Sequence, residues 1–392
     1  MASDLLKNMY KSSRPPLPSP LQHSITDLPE DVEVEQLEDE SMDSFSADLA
    51  TTMSFQDPTP AIHPSKNPAI FSVSSRYGPL EWSSYFEEKK SFTVPGESES
   101  EGDITFNVYQ TRGRPGAPLF VMHHGAGSGA LGFALAAKEI RSIVGMDASI
   151  LCFDARGHGE TTSGDDHNLS LDRLAKDLKN VVHAAYGEHL PDIVLVGHSM
   201  GGSVVCEAAS RGMIPNLIGV AVLDIVEGIA IETLSHLHGW LERRPNSFRS
   251  IDRVVQWGIK SGTVRNTESA RVSFPPLVIP SAGSTAQNPE YVWRTDLVAS
   301  EQYWKEWFTG MTQKFLSSRT AKLLILAGTD RLDKDMTIAQ MQGKFQMLVF
   351  PNSGHAVQED DPGRMARELV AFWKRNERLV LPPRVPIVPH KH

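Results

Sequence analysis

The sequence predicts a doubly wound, mostly parallel α/β sheet with a helical insertion. Runs of four to six continuously apolar residues, bounded by glycine-rich turns, recur along the chain, as strands buried on both faces require. Helical patterns separate these runs, and strands alternating with helices wind a parallel sheet. One connection, between the runs at 220–223 and 323–326, is far longer than the others.

Residues 1–75 mix proline, serine and acids without a sustained apolar period. Such a stretch cannot bury enough apolar surface to offset its ordering entropy, so it reads as a disordered tail. Folded texture begins with a hairpin, 92–94 and 104–109, turning at Gly102 and Asp103. Core strands follow at 119–123, 149–153, 193–196, 220–223, 323–326 and 347–350, with helices at 130–143, 171–186, 202–211 and 362–374. The core is therefore 76–226 together with 322–376. The insertion, 227–321, carries helices at 229–243, 248–260, 267–272 and 301–316 and a proline-rich loop at 275–289. At the C-terminal edge of such a sheet it reads as a lid over a site. Residues 377–392 form a second tail.

The net charge of −10 over 392 residues is unevenly spread. Residues 15–65 hold 11 acids and no Lys or Arg, and the 14 residues before them carry +2, which leaves −1 for 66–392. An overall −10 argues against a nucleic-acid partner, for which a basic domain is expected. No run approaches the roughly 18 apolar residues of a membrane span, and the N-terminus lacks the basic and apolar blocks of a signal peptide. Two cysteines, Cys152 and Cys206, make neither a disulfide framework nor a four-ligand zinc site, which points to a reducing compartment. Metal motifs of the H-E-x-x-H, C-x-x-C and calcium-loop kinds are absent, and the expectation is no metal and no cofactor.

The strongest chemical signal is Gly197-His198-Ser199-Met200-Gly201, between a strand and a helix. This is the G-x-S-x-G nucleophile elbow in its confirming context. The glycines permit a sharp turn that presents the Ser199 hydroxyl, and the helix N-terminus supplies N–H groups for an oxyanion. His355, after the last strand, stands where the Ser…Asp…His order places the base. Two aspartates at strand ends compete as the acid that orients it, Asp224 and Asp330, and spacing leaves both open. Oxyanion donors are expected from the N–H of Met200 and, in the glycine-rich loop after the first parallel strand, the N–H of Ala126. His123 and His124 read as shaping that loop and His158 as part of a turn, while the side chain of His198 is expected to point elsewhere.

With these residues placed, the chain resembles the protein phosphatase methylesterase family. The matching stretches are 197–202 (GHSMGG), 223–228 (LDIVEG), 261–273 (SGTVRNTESARVS), 327–346 (AGTDRLDKDMTIAQMQGKFQ) and 354–357 (GHAV), within a resemblance that spans 75–375. GHSMGG is common among hydrolases; the 261–273 and 327–346 segments are far more specific. The resemblance implies the α/β-hydrolase fold and removal of the methyl ester from the C-terminal leucine of the phosphatase 2A catalytic subunit. It also implies contact with that subunit's tail and folded surface, residence in cytoplasm and nucleus, and Asp224 as the acid. A monomer is expected. Animal members carry a long acidic insert where this chain has only the loop at 275–289, so contacts made through that insert do not transfer. Two other readings stand beside this one: a small-ester hydrolase or lipase with the same catalytic residues, and a phosphatase-binding regulator whose association outweighs hydrolysis. Serine at the elbow excludes the aspartate-nucleophile hydrolases of this fold.

Overall fold

The computed structural model describes residues 76–97, 102–328 and 332–377. The tail expected at 1–75, residues 378–392 and Asp330 lie outside the described residues. A nine-stranded sheet organises the body. Its strands are β1 (Glu88–Val94), β2 (Ile104–Thr111), β3 (Leu119–His123), β4 (Ser149–Phe153), a short β5 (Thr162–Ser163), β6 (Ile193–His198), β7 (Leu217–Leu223), β11 (Ala321–Leu326) and β12 (Gln346–Val349). They lie in the order β1-β2-β4-β3-β6-β7-β11-β12, with β5 paired to β2. The β1–β2 hairpin and the β2–β4 pair are antiparallel, and every pair from β4 to β12 is parallel. This is the expected doubly wound sheet. The chain leaves β3 on one side for β4 and crosses to its other side for β6, so a ligand crevice is expected at the carboxyl ends of these strands.

Two-residue alternation divides each strand between two core layers. Leu119, Val121 and Leu195 face one layer, with α2 (Leu171–Tyr186) and α3 (Met200–Ser210) packed upon it. Phe120, Met122, Val194 and Val196 face the other, covered by α1 (Ala134–Val144) and α11 (Pro362–Asn376). Each such side chain stabilises the fold by about 1.5–3 kcal/mol relative to exposure. Cys206 is buried in the first layer and Cys152 in the second, on opposite faces of the sheet. No helix of the described residues is long and apolar enough to cross a membrane.

The insertion differs from its expected all-helical form. It contains α4 (Glu227–Glu242), α5 (Ile251–Lys260), α6 (Thr267–Ser273), α7 (Glu301–Phe308) and α8 (Met311–Ser317), but also a three-stranded antiparallel sheet. Here β8 (Ser247–Phe248) and β9 (Val278–Pro280) flank β10 (Tyr291–Trp293). Pairing of Ser247 and Phe248 with β10 delays the helix expected from 248 until Ile251, where the Ser250 side chain accepts from Arg253 N–H. The helix expected at 301–316 is two, because Gly310 takes a left-handed φ of 76° between them. Nor is the whole insertion a cover. Trp304, Trp307, Phe308, Met311 and Phe315 of α7 and α8 belong to the same buried core layer as α2 and α3, so these two helices complete the body. The helix expected at 130–143 opens as a 3₁₀ turn, Ala130–Phe133, before α1.

Candidate active site

Steric demands on the backbone build the elbow. β6 ends at His198 and α3 begins at Met200, and Ser199 between them has φ 51° and ψ −120°. A non-glycine residue in that region is strained, and such strain concentrates at functional sites. The flanking glycines are compulsory. A Cβ at Gly197 would stand 2.2 Å from the Gly201 carbonyl oxygen, and one at Gly201 would stand 2.3 Å from that of His123. Ser199 N–H donates to the Leu223 carbonyl at 3.1 Å, which fixes the elbow against the end of β7.

Asp224 follows β7 and shares the unusual backbone, with φ 51°. Its N–H donates to Ile325 O at 2.7 Å, its Oδ1 accepts the Ala327 N–H at 2.6 Å, and its Oδ2 meets His355 Nδ1 at 2.7 Å. The carboxylate is sealed, with a side chain 2% exposed, while the His355 side chain is 40% exposed and open to a substrate. The carboxylate therefore accepts Nδ1–H and leaves Nε2 as the imidazole's basic atom. Asp224 thus meets His355; the other acid considered, Asp330, lies outside the described residues.

His198 differs from its expected orientation. Its position in β6 puts it on the face of Val194 and Val196, where the segment around His355 packs. Its Nε2–H donates to the His355 carbonyl at 2.8 Å, and the two rings lie 4.7 Å apart. Burial, then the neighbouring His355, holds His198 well below the ordinary histidine range, so it is neutral. Strand parity was the signal that would have placed it.

Three further histidines shape the loop after β3. His124 Nε2 accepts the Ala155 N–H and His158 Nε2 accepts the Gly127 N–H, each at 2.9 Å. Their Nδ1 atoms must then carry the hydrogens, donated to the carbonyls of Gly125 and Arg156 at 2.8 Å. Burial pushes both rings down to about 3 and His123 to about 4, so all three are neutral near pH 7. Gly127 and Ser128 spend their N–H groups inside the loop, on His158 and on Gly125 O. Ala126 N–H makes no hydrogen bond among the described residues, and Met200, as the first residue of α3, has no intrahelical acceptor.

Two acids missing from the sequence reading brace the His355 segment. Asp360, in α10 (Val357–Asp360), accepts Gly354 N–H and, from the insertion, Arg265 N–H, both at 2.7 Å. Glu359, 4% exposed, accepts the hydroxyls of Ser273 at 2.7 Å and Ser269 at 2.9 Å, both on α6. Burial raises it to about 7 against those two hydrogen bonds. Only the acidic cluster at 359–361 signalled them in the sequence.

Comparison with known proteins gives a concordant family. Residues 120–368 match the model of the alpha/beta hydrolase family. The chain is 45% identical over 320 residues to protein phosphatase methylesterase 1 of Aspergillus oryzae, covering 78% of this chain and 74% of that one. It is 42% identical to the Schizosaccharomyces pombe protein of that name, over 79% and 89% of the two chains, and 39% identical to the Bos taurus one, over 76% and 87%. A solved E-2-(acetamidomethylene)succinate hydrolase shares the fold at a TM-score of 0.59 and 18% identity, over 73% of this chain and 100% of that one. A strained serine elbow, a buried aspartate on an open histidine and these relatives lead to one assignment: the chain belongs to the protein phosphatase methylesterase family, carboxylic ester hydrolases of the α/β-hydrolase fold.

Proposed function

We propose that the chain hydrolyses the methyl ester on the C-terminal leucine of the phosphatase 2A catalytic subunit, through an acyl-enzyme formed on Ser199. The observation that carries this reading is the 2.7 Å contact of His355 Nδ1 with Asp224 Oδ2, beside a serine on a strained elbow. His355 Nε2 takes the Ser199 proton as Oγ bonds to the ester carbonyl carbon. The carbonyl oxygen becomes an oxyanion between the N–H groups of Met200 and Ala126. Asp224, its Oδ1 held by the Ala327 N–H, faces the imidazolium through Oδ2 and orients it. The intermediate collapses, the C–O bond to the methoxy group breaks, and His355 returns the proton so that methanol leaves. Water, deprotonated by His355, then attacks the acyl carbon, and the second collapse frees the leucine carboxylate and restores Ser199.

The relatives' shared name supports a methylated protein phosphatase as the substrate class, and the resemblance of 261–273 and 327–346 supports the leucine ester of the phosphatase 2A subunit. Methanol release is to be measured from a carboxymethylated catalytic subunit and from its methylated C-terminal peptide. Turnover of the subunit is expected; turnover of neither overturns the reading. Turnover of small esters alone would assign the chain to the general esterases.

A further inference from the structure

Arg244, just beyond α4, is half-buried, and its guanidinium has no polar partner among the described residues, unlike those of most other arginines of its kind; Arg364, stacked on Phe350, shares this. Arg156 and Arg173 share Asp177, Arg141 pairs with Glu87, and Arg271 and Arg294 donate to the carbonyls of Gly78 and Pro276. The Arg244 guanidinium instead lies 3.9 Å from the ring centre of Trp293 and 5.2 Å from that of Trp240. Its Nε is sealed from solvent and has no hydrogen-bond partner. Burial pushes it down to about 10, and no neighbouring acid opposes the shift.

The surroundings are rigid and basic. Trp293 is pinned by donation of its Nε1–H to Pro245 O at 2.8 Å, and it packs edge-on to Phe248 and Trp257. The apolar cluster to which these rings belong reaches Ala356, the neighbour of His355. Residues 243–294 carry eight Lys and Arg against three Asp and Glu, although 66–392 sums to only −1. The near-neutral body therefore conceals a positive insertion.

A half-buried arginine with its Nε sealed has met part of its desolvation cost in folding, so it gains more from a carboxylate than a fully solvated lysine does. Two indoles also hold the guanidinium plane in place, which suits it to the edge of a carboxylate. We propose that Arg244, clamped between Trp240 and Trp293, receives an aspartate or glutamate side chain of the protein whose ester is cleaved, so that the insertion selects an acidic peptide segment. This rests on the protein-ester reading above.

The test uses the full chain and two peptides ending in leucine methyl ester, one with glutamates upstream and one with glutamines in their place. Binding is followed by tryptophan fluorescence in the Ser199→Ala background, where no ester turns over, and methanol release is followed with Ser199 present. The glutamate peptide is expected to bind about ten- to a hundredfold more tightly, the worth of one hydrogen-bonded charge pair. Arg244→Met, which keeps apolar bulk between the indoles, is expected to abolish that preference while leaving small-ester turnover and melting temperature unchanged. Arg244→Lys, which keeps the charge but loses the fork, should retain only part of it. Equal affinity of the parent chain for both peptides, or a full preference surviving in either Arg244 variant, overturns the proposal. A glutamate preference without methanol release would uphold the Arg244 site and refute the esterase reading instead.

Discussion

His198 donates its Nε2–H to the carbonyl oxygen of His355 at 2.8 Å, so the residue before the nucleophile holds the backbone of the base. The bond joins the end of β6 to the loop after β12, two points 157 residues apart in the chain. Its Nδ1 is buried without a partner, a cost the fold carries to keep this ring in place. His198→Ala is expected to lower kcat on a small ester by about 10²-fold, the effect of displacing a reacting group by about 1 Å. KM and melting temperature should change little, and His198→Gln, which can still donate, should recover part of kcat. An unchanged kcat in the alanine variant would remove His198 from any positioning role.

Asp224→Asn tests the orientation of the base. An asparagine can present its amide N–H to His355 Nδ1 and favour the wrong tautomer, for which a loss of about 10⁴ in kcat is expected. The variant should fold, because the side-chain oxygen can still accept the Ala327 N–H. Steady-state kinetics on a small ester, with a thermal melt of the same sample, measures both.

Acid should attack the oxyanion loop first. His124, His158 and His123 are held near 3, 3 and 4 in the fold by burial, against 6.5 for an ordinary histidine. Below 6.5 the unfolded chain binds protons that the native rings refuse, so the stability these groups contribute is complete above 6.5 and declines as pH falls toward 3. His158→Phe removes one such proton site but also the acceptor of Gly127 N–H. Its melting temperature is expected to fall at pH 7.5, and its further loss on going to pH 5 should be smaller than that of the parent protein. A parallel pair of pH–stability curves would contradict this.

Glu359 has the opposite sign. Its carboxyl is raised from 4.5 to about 7, chiefly by burial, so the folded state binds the proton more tightly than the unfolded one. The stability it contributes is complete below 4.5 and is lost as pH rises through 7. Glu359→Gln keeps the shape and an acceptor for Ser269 and Ser273 while removing the ionisation. Differential melts at pH 6 and pH 8 should show a larger gain for the glutamine variant at pH 8; an equal difference at both would refute the assignment.

Much of the site was legible because its constraints are local. Ser199 needs Gly197 and Gly201 within two residues, and His355 follows the last strand, so short motifs betray both. The acid was not: Asp224 and Asp330 both follow strands, and the contact of Asp224 with His355 joins residues 131 apart in the chain, which no local pattern reveals. The three-stranded sheet of the insertion leaves no sequence signal, because strands of two or three residues carry no period. Helices α7 and α8 read as lid in the sequence, since a sequence pattern shows an apolar stripe but not the layer into which it packs. The charge total misled in a similar way, since a sum near zero for 66–392 masks the basic stretch around Arg244.

Labelling with an organophosphonate tests the central claim, that Ser199, His355 and Asp224 act as one acyl-transfer unit, most directly. Intact-mass and peptide mapping should find a single adduct on Ser199, absent from Ser199→Ala and formed about a thousandfold more slowly in Asp224→Asn. An adduct on another residue, or equal labelling rates with Asp224 and Asn at that position, would contradict it.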